Sequence, residues 1–306
     1  MGGRRQGHAA FRSRSPGALR PVSRLWLVAA AVLFSTGGAA IKAAHLTGWQ
    51  VASFRSGVAA LALLALLPDS RRGWSARVIV VGAAYAAMMI LFVLATRTTT
   101  AANAIFLQST APLYLILLGP LLLREPIRRE DILLIAVLAL GISLFFISSE
   151  KPAATAPNPF LGNILAVTSG IGWALTIAGL RWIGRGKSGA EGSLATVAAG
   201  NALAFLIALP MAFPVERVDW RSLSVVVYLG VFQIGLAYVC LTHGLRKVPA
   251  FEASTILLLE TALNPCWAWA VHGERPGGLA LAGGVIIVGA TIVNTWWRTQ
   301  RAGADS

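Results

Sequence analysis

Two ionisable residues interrupt long apolar runs of this 306-residue chain: Arg55 in SFRSG and Glu260 in LLLETALNP. A charge in the middle of a membrane-crossing helix costs about 2.5–3.5 kcal/mol on insertion scales, which makes such a residue a functional candidate by default. A carboxyl at that depth can take up and release a proton, so Glu260 is the candidate for proton coupling. The competing reading is a neutral, hydrogen-bonded acid that locks its helix to a neighbour. Arginine grips a carboxylate through two parallel N–H···O bonds, so Arg55 can capture an anionic solute. Equally, its long side chain can reach back to the membrane surface as an anchor. Lys42, near the end of the preceding apolar run, carries the same two readings.

Helical spacing enlarges the set. Glu260, Asn264 and Trp267 fall at i, i+4 and i+7 and share one stripe. Ser169, Trp173 and Thr176 form a similar stripe, as do Ser35, Gly38 and Lys42, and Gln233, Ala237 and Cys240. Polar stripes on apolar helices face the bundle interior or a wet cavity. The substrate-binding candidates are therefore Lys42, Arg55, Trp173, Gln233, Asn264 and Trp267, the two tryptophans offering flat π faces to planar or cationic cargo. Lone Ser and Thr hydroxyls read as packing contacts. Pro112 and Pro265 interrupt apolar runs and are hinge candidates, or static kinks.

The composition says what carries these residues. The chain is 56% hydrophobic and only 12% charged, with a mean hydropathy of +0.70. A soluble domain carries about 25% charged residues. This balance excludes a water-soluble enzyme, a disordered chain and a disulfide scaffold. It indicates an all-α polytopic membrane protein. Cys240 and Cys266 both lie in apolar runs, and no His/Cys metal spacing or phosphate-binding loop appears, so no metal, cofactor or catalytic residue is expected. The net charge of +14 sits in short gaps between apolar runs, which suits membrane orientation rather than nucleic acid.

Ten apolar runs can cross a membrane: 25–44, 49–67, 77–95, 100–123, 131–148, 160–181, 193–213, 223–243, 250–271 and 278–297. The basic stretch before the first reads as the flank of an uncleaved span. If residues 1–24 are cytoplasmic, the inside segments carry 19 Lys and Arg and the outside segments 6. The positive-inside rule then puts both termini in the cytoplasm, as an even span count requires. Trp26, Trp49, Trp74, Trp296 and Trp297, near span ends, read as an interfacial belt.

The stretch from Ala101 to Glu125 aligns without gaps with Ala250 to Glu274, each ending in Glu followed closely by Pro. Gly82 and Gly230 match upstream, Gly141 and Gly289 downstream. The organisation read is a basic cytoplasmic tail (1–24), a five-helix repeat (25–148), a linker (149–159), a second five-helix repeat (160–297) and a cytoplasmic C-terminal tail (298–306). Five is odd, so the second repeat enters the membrane upside down. Two inverted repeats can exchange shapes around a central site.

These residues resemble the EamA-like family of the drug/metabolite transporter superfamily. The resemblance covers about residues 25–297. It rests on STGGAAIK (Ser35 to Lys42), the Arg55 of SFRSG, TAPLYLILLGPLLLREP, GWA at Gly172 to Ala174, and LLETALNPCWAWAVHGERP. Phe34-Ser35 stands where the family often has Trp-Gly. The resemblance implies an alternating-access exporter or exchanger of metabolites, amino-acid-like solutes or drugs, in a bacterial inner membrane. The partners expected are a small-molecule substrate and the lipid bilayer, with a homodimer left open and no nucleic acid. A polytopic enzyme acting on lipids is the alternative. It would need clustered His, Asp and Glu, whereas His8, His45, His243 and His272 are scattered. A channel would need a ring of like polar residues, which is not found.

Overall fold

The computed structural model describes residues 20–122, 127, 129–147, 151–184, 189–216, 219–245, 248 and 250–304. The basic residues from Arg4 to Arg14, the Glu125-Pro126 end of the first repeat motif and Arg246-Lys247 lie outside them. Among the described residues every regular element is helical: α1 (Arg20–Ser35), α2 (Gly37–Ala43), α3 (Gly48–Leu66), α4 (Ala76–Thr98), α5 (Ala101–Gln108), α6 (Ala111–Leu122), α7 (Arg129–Ile147), α8 (Pro159–Gly184), α9 (Gly189–Ala208), α10 (Trp220–Val227), α11 (Ala237–Leu245), α12 (Ala250–His272) and α13 (Gly278–Ala304). A π-helical stretch, Tyr228–Leu236, joins α10 to α11. Among the described residues, eight stretches are long and apolar enough to cross a membrane, α7 contributes a shorter apolar helix (Asp131–Ile147), and α12, which carries Glu252 and Glu260, is 23 residues long.

Side-chain caps set where these helices begin. Thr47 and Gln50 form a capping box at α3: Gln50 N–H donates to Thr47 Oγ1 (3.2 Å) and Thr47 N–H to Gln50 Oε1 (3.0 Å). Ser75, Thr100 and Asp219 cap α4, α5 and α10 in the same sense. Each satisfies an N–H that the first turn leaves without a helical partner. Span 4 breaks at Ser109-Thr110, between α5 and α6. Pro112 explains the break, because it has no N–H for the carbonyl four residues before it. Span 1 breaks at Thr36, where the Ser35 and Thr36 hydroxyls donate back to Val32 O (2.7 Å) and Leu33 O (2.8 Å).

The helices interleave across the two halves of the chain. α4 packs on α8 and α9, α3 on α9 and the π stretch, α1 on α11 and α12, and α7 on α13. Gly82 and Gly230 are points of closest approach. A Cβ on Gly82 would lie 3.2 Å from Gly200 N, and one on Gly230 would lie 2.5 Å from Val58 Cγ1. A side chain at either position would force two helices apart. Leu138, Phe145, Phe106 and Ile287 fill the α5–α7–α13 side, while Ile41, Val51, Ala86 and Leu229 fill the α2–α3–α4 side. Outward-facing surfaces are apolar (Leu61, Leu121, Leu133 and Val285 among them), as lipid requires. Trp26, Trp74, Trp296 and Trp297 are exposed near helix ends, and Trp49 is half-buried.

Candidate functional site

A cavity of about 430 Å³ lies in the middle of the bundle. Its polar lining is Arg55, Gln108, Ser109, Gln233, Glu260, Thr261 and Thr291. Its aromatic lining is Phe34, Tyr85, Phe92, Trp173 and Tyr238, with Met88 and Met89 beside them. The helix breaks shape it. Ser109 and Pro112 line it at the span 4 break, and Gln233 and Ile234 line it from the π stretch.

Arg55 is 1% exposed, so it does not reach out to the surface. Its Nη2 meets only Met89 Sδ, at 3.7 Å, and its Nε is buried with no hydrogen-bond partner. Glu260 is half-buried on the cavity wall and makes no hydrogen bond or ion pair with any described residue. Arg55 and Glu260 do not pair with each other. Tyr85 interacts electrostatically with both, and its hydroxyl lies 3.4 Å from that of Tyr238, which also faces the Glu260 charge. Gln233 Nε2 donates to Phe34 O (3.3 Å), leaving its buried Oε1 without a partner. Gln108 Nε2 donates to Ser169 Oγ (2.7 Å), which donates to Met88 O (3.1 Å). The cavity thus holds a guanidinium, a carboxyl and an amide oxygen with bonding capacity to spare. Buried polar groups normally find partners, so this surplus is suited to a polar ligand.

Lys42, Asn264 and Trp267 lie elsewhere, toward the end of the bundle where α2 and α4 finish and α5 begins. Lys42 Nζ is 2.7 Å from Glu274 Oε1, with both side chains 3% exposed. It also donates to Thr99 O (2.8 Å) and to Thr155 O. Glu274 Oε2 accepts from Ala101 N–H (2.9 Å), at the first turn of α5, where helix N-termini favour a negative charge. Arg97 donates to the carbonyls of Ile41, Lys42, Ala44 and Leu46, the last at 2.7 Å, and so closes the C-terminus of α2. His272 Nε2 is 2.8 Å from Ala39 O. Asn264 packs against Gly38, where a Cβ would come within 2.5 Å of its Oδ1. Trp267 Nε1 donates to Ser35 Oγ (2.9 Å). These groups tie α1, α2, α5 and α12 together at one end of the bundle. Pro265 sits within the unbroken helix α12.

At the rim of that end, Asp219 caps α10 and approaches His45 Nδ1 (2.9 Å). Its hydrogen bonds with Ser222, then the His45 contact, hold its carboxyl at about 2 instead of 3.8. Sequence reasoning did not single out Tyr85, Tyr238, Gln108 or Arg97. Tyr85 stood within the small-residue run GAAYAA, whose apolar neighbours hid it. Arg97 stood among loop arginines.

The sequence profile of the EamA-like transporter family matches residues 23–147 and again residues 160–296. The chain belongs to the EamA-like transporter family. As a member, it is a multi-pass transmembrane transporter of the drug/metabolite type. It is 27% identical over 281 residues to a pseudopaline exporter, CntI, of Pseudomonas aeruginosa, covering 88% of this chain and 94% of that one. It is 21% identical over 212 residues to an uncharacterized transporter of Methanothermobacter thermautotrophicus, covering 68% of this chain and 60% of that protein's length. A solved crystal structure shares the fold with a TM-score of 0.56 at 18% identity, over 92% of this EamA-like chain and 99% of that one.

Proposed function

We propose that this EamA-like chain is a secondary active exporter of small metabolites or amino-acid-like solutes, working by alternating access between two inverted five-helix repeats. One observation carries the reading: a cavity with unsatisfied polar groups, lined by helices from both halves, while the Lys42–Glu274–Arg97 cluster ties the helices together at one end of the bundle. The helix pairings support it. Exchanging the two halves turns α1–α11 into α8–α4, and turns the α3–π contact into α9–α4. An upside-down duplication needs such a correspondence, because the same packing then serves either mouth of the cavity.

With ten spans and cytoplasmic termini in a bacterial inner membrane, the end tied by that cluster is periplasmic. The breaks at Thr36, at Ser109-Thr110 near Pro112, and along Tyr228–Leu236 sit where rocking of one repeat against the other bends helices. Pro265 adds a fourth such point. Glu260, without a partner on the cavity wall, serves as the proton carrier.

Overproduction should lower a solute accumulated by cells, and deletion should raise it. Proteoliposomes then separate coupling from transport. An imposed pH gradient should drive flux of that solute in the native chain and not in Glu260→Gln. Gradient-driven flux unchanged in Glu260→Gln rejects proton coupling. Solute levels indifferent to the chain, together with product formation from labelled lipid, reject export in favour of a lipid-modifying enzyme.

A further inference from the structure

We infer that Arg55 is a carboxylate-binding residue and that the cavity selects small monocarboxylate or zwitterionic solutes with an apolar or aromatic body. The inference rests on the transporter reading only for its consequence, since it concerns what the cavity binds.

A buried charge is tolerated when it is paired and hydrogen-bonded. Arg55 is buried and lines the cavity, yet among the described residues its one side-chain hydrogen bond is to a thioether sulfur and its Nε has no hydrogen-bond partner. Glu260, the acid that lines the same cavity, does not pair with it. A guanidinium in this position has its fork of N–H donors free for a planar two-oxygen acceptor, which a carboxylate matches in shape. Lys42 and Arg97 do not line the cavity and are engaged with Glu274 and with backbone carbonyls. The cavity therefore offers one positive charge rather than a cluster, which fits a monoanion and not a phosphate. Glu260 adds a second criterion: it opposes another anionic group on the ligand and favours a positive one. The same wall carries Tyr85, Tyr238, Trp173, Met88 and Met89, a surface for a hydrocarbon or aromatic body.

The test is equilibrium binding to the purified full chain in lipid nanodiscs, read by scintillation proximity with tritiated L-phenylalanine as the probe. Competitors are phenethylamine, which lacks the carboxylate, 3-phenylpropionate, which lacks the ammonium, and inorganic phosphate. Saturable binding is expected, with unlabelled L-phenylalanine the strongest competitor, 3-phenylpropionate weaker, and phenethylamine and phosphate at least about tenfold weaker. Sites built to bond a polar group discriminate strongly against analogues that lack it. Arg55→Gln should weaken binding about tenfold or more, and Arg55→Lys should restore part of the loss as a point charge. The ligand series does not depend on any variant folding. Phenethylamine or phosphate competing as well as L-phenylalanine overturns the inference, as does an Arg55→Gln chain that binds normally or a native chain that binds no probe. Transport of a solute without a carboxylate would spare the transporter reading and sink this one. Binding without flux would do the reverse.

Discussion

The two groups of buried polar residues in this bundle are built on opposite principles. At one end, Lys42, Arg97 and Glu274 meet carbonyls, an N–H and each other, and the charges of Lys42 and Glu274 cancel. In the cavity, Arg55, Glu260 and Gln233 keep bonding capacity unspent. The first arrangement holds helices together. The second leaves the site incomplete until a ligand enters. Hydrogen-bond saturation alone does not separate the two regions, since Asn264 Oδ1 is buried without a partner at that end too; the pairing of their charges does, because Lys42 and Glu274 face each other while Arg55 and Glu260 have no ion partner among the described residues.

The largest effect expected from breaking that contrast is at the ion pair. Lys42→Met leaves Glu274 charged and buried, and should cost about 3–5 kcal/mol in urea or SDS unfolding. Adding Glu274→Leu should recover most of the loss, because removing both partners removes the stranded charge. Next comes helix packing. Gly230→Val drives a side chain into Val58 and Ala59 of α3 and should cost about 1–3 kcal/mol in the same measurement. The cavity should respond the other way. Arg55→Met and Glu260→Leu, which give up polar groups already unsatisfied, should leave apparent Tm unchanged or raise it while abolishing ligand-dependent stabilisation. A fall in Tm as large as that of Lys42→Met would erase the distinction between the two regions.

The smallest effect is at the exposed rim. The Asp219 carboxyl sits at about 2 in the fold against 3.8 ordinarily. Its contribution is complete above that ordinary value and disappears as pH falls through about 2. Asp219→Asn should therefore flatten the acid limb of the Tm-versus-pH curve between those values and change its shape little at neutral pH.

Much of the fold was legible because lipid imposes long apolar runs. The described helices fall on the stretches read as spans, and the break in span 4 lies just before Pro112. The π stretch had no such signal, since no residue type announces one extra residue per turn. The site was half legible. Arg55, Trp173, Gln233 and Glu260 come together at the cavity. Asn264 and Trp267 share the Glu260 stripe but not its depth: Trp267 lies seven residues on, about 10 Å along the axis. Helical phase fixes which way a residue points and leaves its height to tertiary packing. Lys42 lies away from the cavity for a related reason. Its partner, Glu274, is remote in sequence, and only the assembled bundle shows that this cation is already neutralised.

The dryness of the Lys42–Glu274 pair also sets how the molecule answers to salt. Dissolved ions screen only charges that water can reach, over about 8 Å at physiological ionic strength. The Arg24–Glu252 and His45–Asp219 pairs expose a third or more of each side chain, whereas Lys42 and Glu274 expose 3% each. Raising the ionic strength of the bathing solution therefore loosens these exposed pairs and leaves the Lys42–Glu274 pair intact, until that pair itself parts and lets water in.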